Sequence, residues 1–122
     1  MESVKLPHDH GQHIETQLPD GGRFSTAAEL FKLLGDSSRI RIFWLLCHCE
    51  QCVINLSAMM RVSSPAVSHH LKLLRAMGLV VSRREGKEVY YKAADTELSH
   101  QLHHMIEKMV EVTCPGIAHT KE

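Results

Sequence analysis

The stretch SSPAVSHHLKLLRAMG, Ser63 to Gly78, decides how the rest of the chain is read. Ser63 is a helix cap, Pro65 falls in the first turn where its missing donor costs nothing, and Gly78 supplies a stop. On a helical wheel Val67, Leu71 and Leu74 form one apolar stripe. Ser68, His69, Lys72 and Arg75 lie opposite, with Ser64 at the start of the same outer face. Alone, such a face is what any solvated helix shows.

The neighbouring segments change that reading. LVVSRREGKEVYYKA, Leu79 to Ala93, has two β-branched and aromatic runs around a turn built on Glu85, Gly86 and Lys87. It reads as a β-hairpin with Arg83, Arg84 and Lys87 clustered near its tip. Upstream, NLSAMMRV, Asn55 to Val62, reads as a short helix with Asn55 as its cap. A short helix, a tight turn, a helix with a basic outer face and a basic hairpin together spell a winged helix-turn-helix, mainly α with a small β-hairpin. In that fold the second helix lies in the major groove of double-stranded DNA. Ser64, Ser68, His69, Lys72 and Arg75 would then reach base edges and phosphates, and the wing cations Arg83, Arg84 and Lys87 the backbone.

Charge is distributed accordingly. The net charge of the 122 residues is zero. From Arg61 to Lys92, however, seven Lys or Arg face two acids, giving +5, whereas Ala93 to Glu122 carries five acids and two lysines, giving −3. Phosphates respond to charge within a Debye length, about 8 Å at physiological salt, so the local excess matters more than the sum.

Toward the N-terminus, STAAELFKLLG predicts a first helix with Thr26 and Glu29 as a capping box and Gly35 as a left-handed C-cap. A second follows, capped by Asp36 or Ser37, with Ile40, Phe43, Trp44 and Cys47 on one apolar face, so that Cys47 would point into the core. Residues 1–24, with two prolines and three glycines, read as a mobile arm. Residues 25–113 read as the winged-helix and dimerisation domain, and 114–122 as a tail. With 43% hydrophobic and 23% charged residues, no apolar run long enough to span a bilayer and none resembling a signal peptide, the expectation is a cytoplasmic globular protein with no membrane partner. An enzyme is disfavoured: no acid, base and nucleophile form a recognisable motif.

One cluster stands outside this scheme. CHCEQC, Cys47 to Cys52, holds three of the four cysteines and a histidine. In a reducing compartment such density points to metal or redox chemistry before a structural disulfide; small helix-end residues are the alternative. Cys47, Cys49 and Cys52 with His8, His10 and His13 of the arm would make a nitrogen and sulfur set suited to zinc.

LFKLLGDSSRIRIFWLL, SSPAVSHHLKLLRAMGLV and SRREGKEVYYKA resemble the leucine-rich helix, recognition helix and wing of the ArsR/SmtB transcriptional repressors, over about Ala28 to Met109. The resemblance implies a homodimer that holds an operator until a chemical inducer releases it, foremost a divalent metal ion such as zinc, cadmium or lead. Cadmium, lead and zinc sensors of the family carry Cys-Val-Cys-Asp at the start of their third helix. Cys52 matches its first cysteine and Ile54 stands in place of the second. Zinc sensors also carry ligands on the last helix, where the matching positions here are Asp95, Glu97, Lys108 and Glu111. A lysine ammonium has no lone pair, so that pattern is broken. Glu97, His100, His104, Glu107 and Glu111, opposite the apolar stripe of Leu98, Leu102, Met105, Ile106 and Met109, with Asp95 just before, form either a second site in shifted register or a solvated face. Redox and persulfide sensors of the family pair cysteines of the second and last helices, which would involve Cys47 and Cys114. A small zinc protein of another class is the distant alternative.

Overall fold

The computed structural model describes Pro7, His8 and residues 21–113. The expected arm and tail therefore lie largely outside the described residues, as do His10, His13 and Cys114. The chain falls into two compact units, residues 1–32 and 33–122.

Helix α1 (Gly21–Leu33) begins five residues before Thr26, so the expected capping box is not formed. Thr26 sits inside the helix, where its hydroxyl donates to the Gly22 carbonyl at 3.0 Å. A threonine hydroxyl satisfied one turn back has no need of a terminal amide. Gly35 is not the left-handed cap either: among the described residues positive φ occurs at Arg61, Gly78 and Gly86. Within the second unit, the Arg39 guanidinium donates to the Leu33 carbonyl at 2.7 Å.

The second unit holds the winged helix-turn-helix. Helix α2 (Ser37–His48) is capped by Asp36, whose carboxylate accepts from the Arg39 amide at 3.0 Å. Its buried face is Ile42, Phe43 and Leu46, rotated from the expected face of Ile40, Phe43, Trp44 and Cys47. Cys47 is consequently half-buried rather than part of the core. A two-residue strand, β1 (Gln51–Cys52), leads straight into α3 (Val53–Met60). Asn55 therefore does not cap α3; Cys52 holds that position without a side-chain bond, and the Asn55 amide donates to Gln51 Oε1 at 3.0 Å. Strand pairing fixes Gln51 and Cys52 as extended backbone, so the helix can begin as soon as the ladder ends.

Helix α4 (Ser64–Ala76) follows the sequence reading closely: the Ser63 hydroxyl accepts from the Ala66 amide at 3.3 Å and Pro65 lies in the first turn. Gly78, at φ 73°, lets the chain leave the helix for β2 (Val80–Glu85). β2 pairs with β3 (Glu88–Ala93) across Gly86, at φ 62°, and Lys87. The expected hairpin is thus formed, but the sheet is three-stranded in the order β1-β3-β2, with Gln51 opposite Tyr91 and Cys52 opposite Tyr90. The final helix, α5 (Glu97–Thr113), buries Ser99 and Leu102 and packs on α2. The core is Ile42, Phe43, Leu56, Val67, Leu71, Leu74, Leu79 and Val80, each at most 2% exposed.

Truncating a buried and an exposed side chain of α4 should differ sharply in cost to stability. Leu74→Ala removes a fully buried side chain and is expected to cost about 2–5 kcal/mol in urea unfolding. Lys72→Ala, on the exposed side of the same helix, should stay within about 0.5 kcal/mol of the parent. Equal losses would mean that the helix is seated in another rotation.

Candidate functional site

The outer face of α4 presents Ser64, Ser68, His69, Lys72 and Arg75, all exposed. Ser68, Lys72 and Arg75 border a shallow groove that Tyr91 of β3 closes on the other side. His70, the neighbour of His69 in sequence, has a different task. It is half-buried, and its Nδ1 accepts from the Arg39 Nε–H at 3.3 Å, tying α4 to α2. Burial lowers its pKa; Asp36 opposes this, and the charges of Arg39 and His69 reinforce it. A neutral imidazole is the form that can accept this bond.

The wing cations divide. Arg83 is bound by Glu50, with Nε to Oε2 at 2.9 Å and Nη2 to Oε1 at 2.7 Å. It also donates to Glu85 at 2.9 Å and lies 5.0 Å above the Tyr90 ring. The bond from Arg83 holds the Glu50 carboxyl below the usual range. Arg84 and Lys87 are exposed and, among the described residues, in no ion pair, so they are the wing's available positive charges.

A cleft of ≈ 280 Å³ lies between the end of α2, β3 and the start of α5, lined by Cys47, His48, Cys49, Glu50, His100 and His103 among others. The CHCEQC segment forms one wall, but its sulfurs point to different surroundings. Cys52 is buried at the head of α3. The Cys49 thiol donates to the Leu45 carbonyl at 3.4 Å and accepts from the Gln51 amide at 3.6 Å. Burial, then the nearby Glu107 charge, pushes the Cys47 thiol up to about 11. Among the described residues no ligand set is formed by these sulfurs; the group close enough to share one ion is His48, His103 and Glu107. His8 is exposed, in the other unit of the chain.

The six acids and histidines read on α5 and just before it form no shared ligand cluster among the described residues. His100 Nε2 is 2.7 Å from Asp95 Oδ1. Glu97 accepts from Gln101 at 3.0 Å. His104 and Glu111 are exposed. Glu107 instead turns to His103, at 3.3 Å, and to His48 of α2, at 3.5 Å. The sequence reading named Glu107 but missed both imidazoles. Their signal was the i, i+4 spacing of His103 and Glu107, which places them on one helix face; nothing in the sequence pointed to His48 as the third member.

The description "bacterial regulatory protein, arsR family" matches residues 36–82. An arsenic resistance transcriptional regulator of Pseudomonas putida is 33% identical over 94 residues, covering 76% of this chain and 81% of the relative. The chain belongs to the ArsR family. Within that family it is 48% identical over 71 residues to a transcriptional repressor SmtB homolog of Synechocystis sp., covering 58% of this chain and 54% of the relative. It therefore spans about half the length of that curated ArsR relative. The chain is also similar to the structure of reduced HlyU from Vibrio cholerae, with TM-score 0.63, 31% identity, and coverage of 76% of this chain and 94% of that one. No helix among the described residues is long and apolar enough to cross a membrane.

The state of Cys47 is open to direct measurement. A rise from 9.0 to about 11 lowers its thiolate fraction at neutral pH by about a hundredfold, which the greater nucleophilicity of a more basic thiolate offsets in part. Alkylation of Cys47 by iodoacetamide at pH 7.5, followed by peptide mass spectrometry, should be about tenfold slower in the folded protein than in urea. Equal rates would show that this thiol is neither buried nor opposed by Glu107.

Proposed function

We propose that the chain is a homodimeric transcriptional repressor that binds double-stranded operator DNA and releases it on binding a thiophilic or borderline metal ion, with zinc, cadmium and lead foremost. The observation that carries the reading is the geometry of α4. Its apolar stripe is fully buried, and a serine, histidine, lysine and arginine face stands exposed beside the free wing cations Arg84 and Lys87. That is the arrangement a helix needs to enter a major groove while its wing follows phosphates.

A dimer is required by the operator, because two recognition helices must reach successive grooves about 34 Å apart. Leu98, Met105 and Met109 on α5 are 42–57% exposed, and Phe24 and Phe31 on α1 58–67%, which supports those helices as the contact. A metal or metalloid inducer is supported by the P. putida relative, named for arsenic resistance. Cys52 and Cys49, with Cys47 and the arm residues His8, His10 and His13, are the proposed thiolate and imidazole ligands. Cys52 heads α3, immediately before the helix-turn-helix, so a metal drawn in there would bias α3 against α4. Such an inducer acts through differential affinity, and a coupling of about 1–3 kcal/mol is a useful switch. With DNA as its partner and no membrane-crossing helix among the described residues, the protein is assigned to the cytoplasm.

Fluorescence anisotropy with an operator obtained by in vitro selection tests the DNA reading. His69→Ala and Lys72→Ala should each weaken binding by about 1–3 kcal/mol. Arg84→Ala should weaken it for all sequences and lower the salt slope by about 1. Arg83→Ala should do less, because Glu50 already occupies that guanidinium. Parent-like binding by all four variants would remove α4 from the groove.

Metal titration of the protein–operator complex tests the inducer. The parent should release DNA with at least one of zinc, cadmium, lead or arsenite. A Cys49→Ser, Cys52→Ser double variant should bind operator and need at least about tenfold more metal for release. Release at the parent's concentrations would exclude these two thiolates as the sensor.

A further inference from the structure

Where α2 ends against α5, three lone-pair donors converge from two helices. His48 Nε2 is 3.1 Å from His103 Nε2 and 3.5 Å from Glu107 Oε1, and His103 Nε2 is 3.3 Å from the same oxygen. A proton can satisfy one pair of these atoms at a time, leaving the third donor facing another lone pair. A cation at the centre satisfies all three. The separations also have the right size: tetrahedral zinc with bonds of about 2.0–2.1 Å sets its ligand atoms about 3.3 Å apart. The three atoms already stand at the corners of such a site without a backbone shift.

The surroundings support ligation. The Trp44 ring lies against His48, tilted by 51° with ring centroids 4.4 Å apart, and so restrains the imidazole. His48 and His103 meet edge to face, centroids 4.8 Å apart, which leaves both Nε2 atoms pointing to one place. The side chains are 29–44% exposed, so an ion can enter, and the imidazoles border the ≈ 280 Å³ cleft that would hold a water in the fourth position.

We propose that His48, His103 and Glu107 form a site for a divalent ion of the zinc class, bound through two imidazoles and one carboxylate, separate from the CHCEQC thiolates and clamping α2 to α5 within one protomer. Binding follows from this geometry alone; that the clamp alters operator affinity rests on the repressor reading above. The cobalt ion is the natural spectroscopic substitute, since it takes the same ligands and reports sulfur by a charge-transfer band.

The test uses the full chain stripped of metal with a chelator and titrated with cobalt and with zinc. Cobalt should give visible ligand-field bands without sulfur charge transfer and quench the fluorescence of Trp44, the single tryptophan. His103→Gln and Glu107→Gln should each lower zinc affinity by about tenfold or more, while His104→Gln, whose side chain lies outside the triad, should bind as the parent does. Circular dichroism melts of the metal-free variants show whether each is folded; should His103→Gln unfold, Glu107→Gln and His48→Gln decide the matter. Parent-like affinity in the folded triad variants overturns the proposal. So does a cobalt spectrum dominated by sulfur charge transfer that survives in them and vanishes in the Cys49→Ser, Cys52→Ser protein. Operator binding by the metal-free protein is measured separately. Its absence would sink the repressor reading and leave the site standing, whereas normal operator binding with no zinc at the triad would sink the site alone.

Discussion

The burial of Val67, Leu71 and Leu74 against α2, α3 and β2 is the contact on which the rest of the molecule depends. All three are at most 1% exposed, so the rotation of α4 about its axis is held by close packing and not by its polar side. Side chains on the opposite face of a helix have no choice once the apolar stripe is fixed, and Ser68, His69, Lys72 and Arg75 are therefore presented together. The Ser63 cap and Pro65 fix where the helix starts, which sets the register of those side chains along it.

A second constraint is the pairing of β1 with β3. Two residues of ladder are enough to draw the CHCEQC segment alongside the wing. Three consequences follow from that one registration. Cys52 becomes the buried head of α3, Glu50 comes within bidentate reach of Arg83, and the wall of the cleft next to α5 is formed. The Arg83–Glu50 pair is exposed enough for solvent to screen it, so its role is orientation more than stability. It leaves the wing with Arg84 and Lys87 as free charge.

Histidine shows how strongly environment separates residues of one type. His69 faces solvent and His70, one position on, is half-buried with its ring nitrogen accepting from Arg39. His100 pairs with Asp95, while His103, three residues later, meets His48 and Glu107. Successive helical residues point about 100° apart, so adjacent histidines fall in different surroundings and take different partners. A count of histidines on a helix says little about ligation until the facing element is known.

Much of the fold was legible in the sequence because its signals are local. The cap, the proline and the stop of α4, its apolar stripe, and the turn of the hairpin each depend on residues within a few positions of one another, and each stands as read. The start of α1 and the cap of α3 were misplaced, since Thr26 and Asn55 have local partners that compete with capping. The third strand was not legible, because two residues carry no periodicity. Of the candidate site, sequence alone determined which polar side chains α4 and the wing carry on their outer faces, and that cysteine is concentrated before α3. Tertiary structure decided the rest: that Arg83 is taken by Glu50, that the three cysteines form no shared ligand set among the described residues, and that His48 joins His103 and Glu107. The physical reason is that ligation and ion pairing act over about 3 Å between residues 33 to 59 positions apart in the chain, and only the packing of α2 on α5 and of β1 on β3 brings such residues within that range.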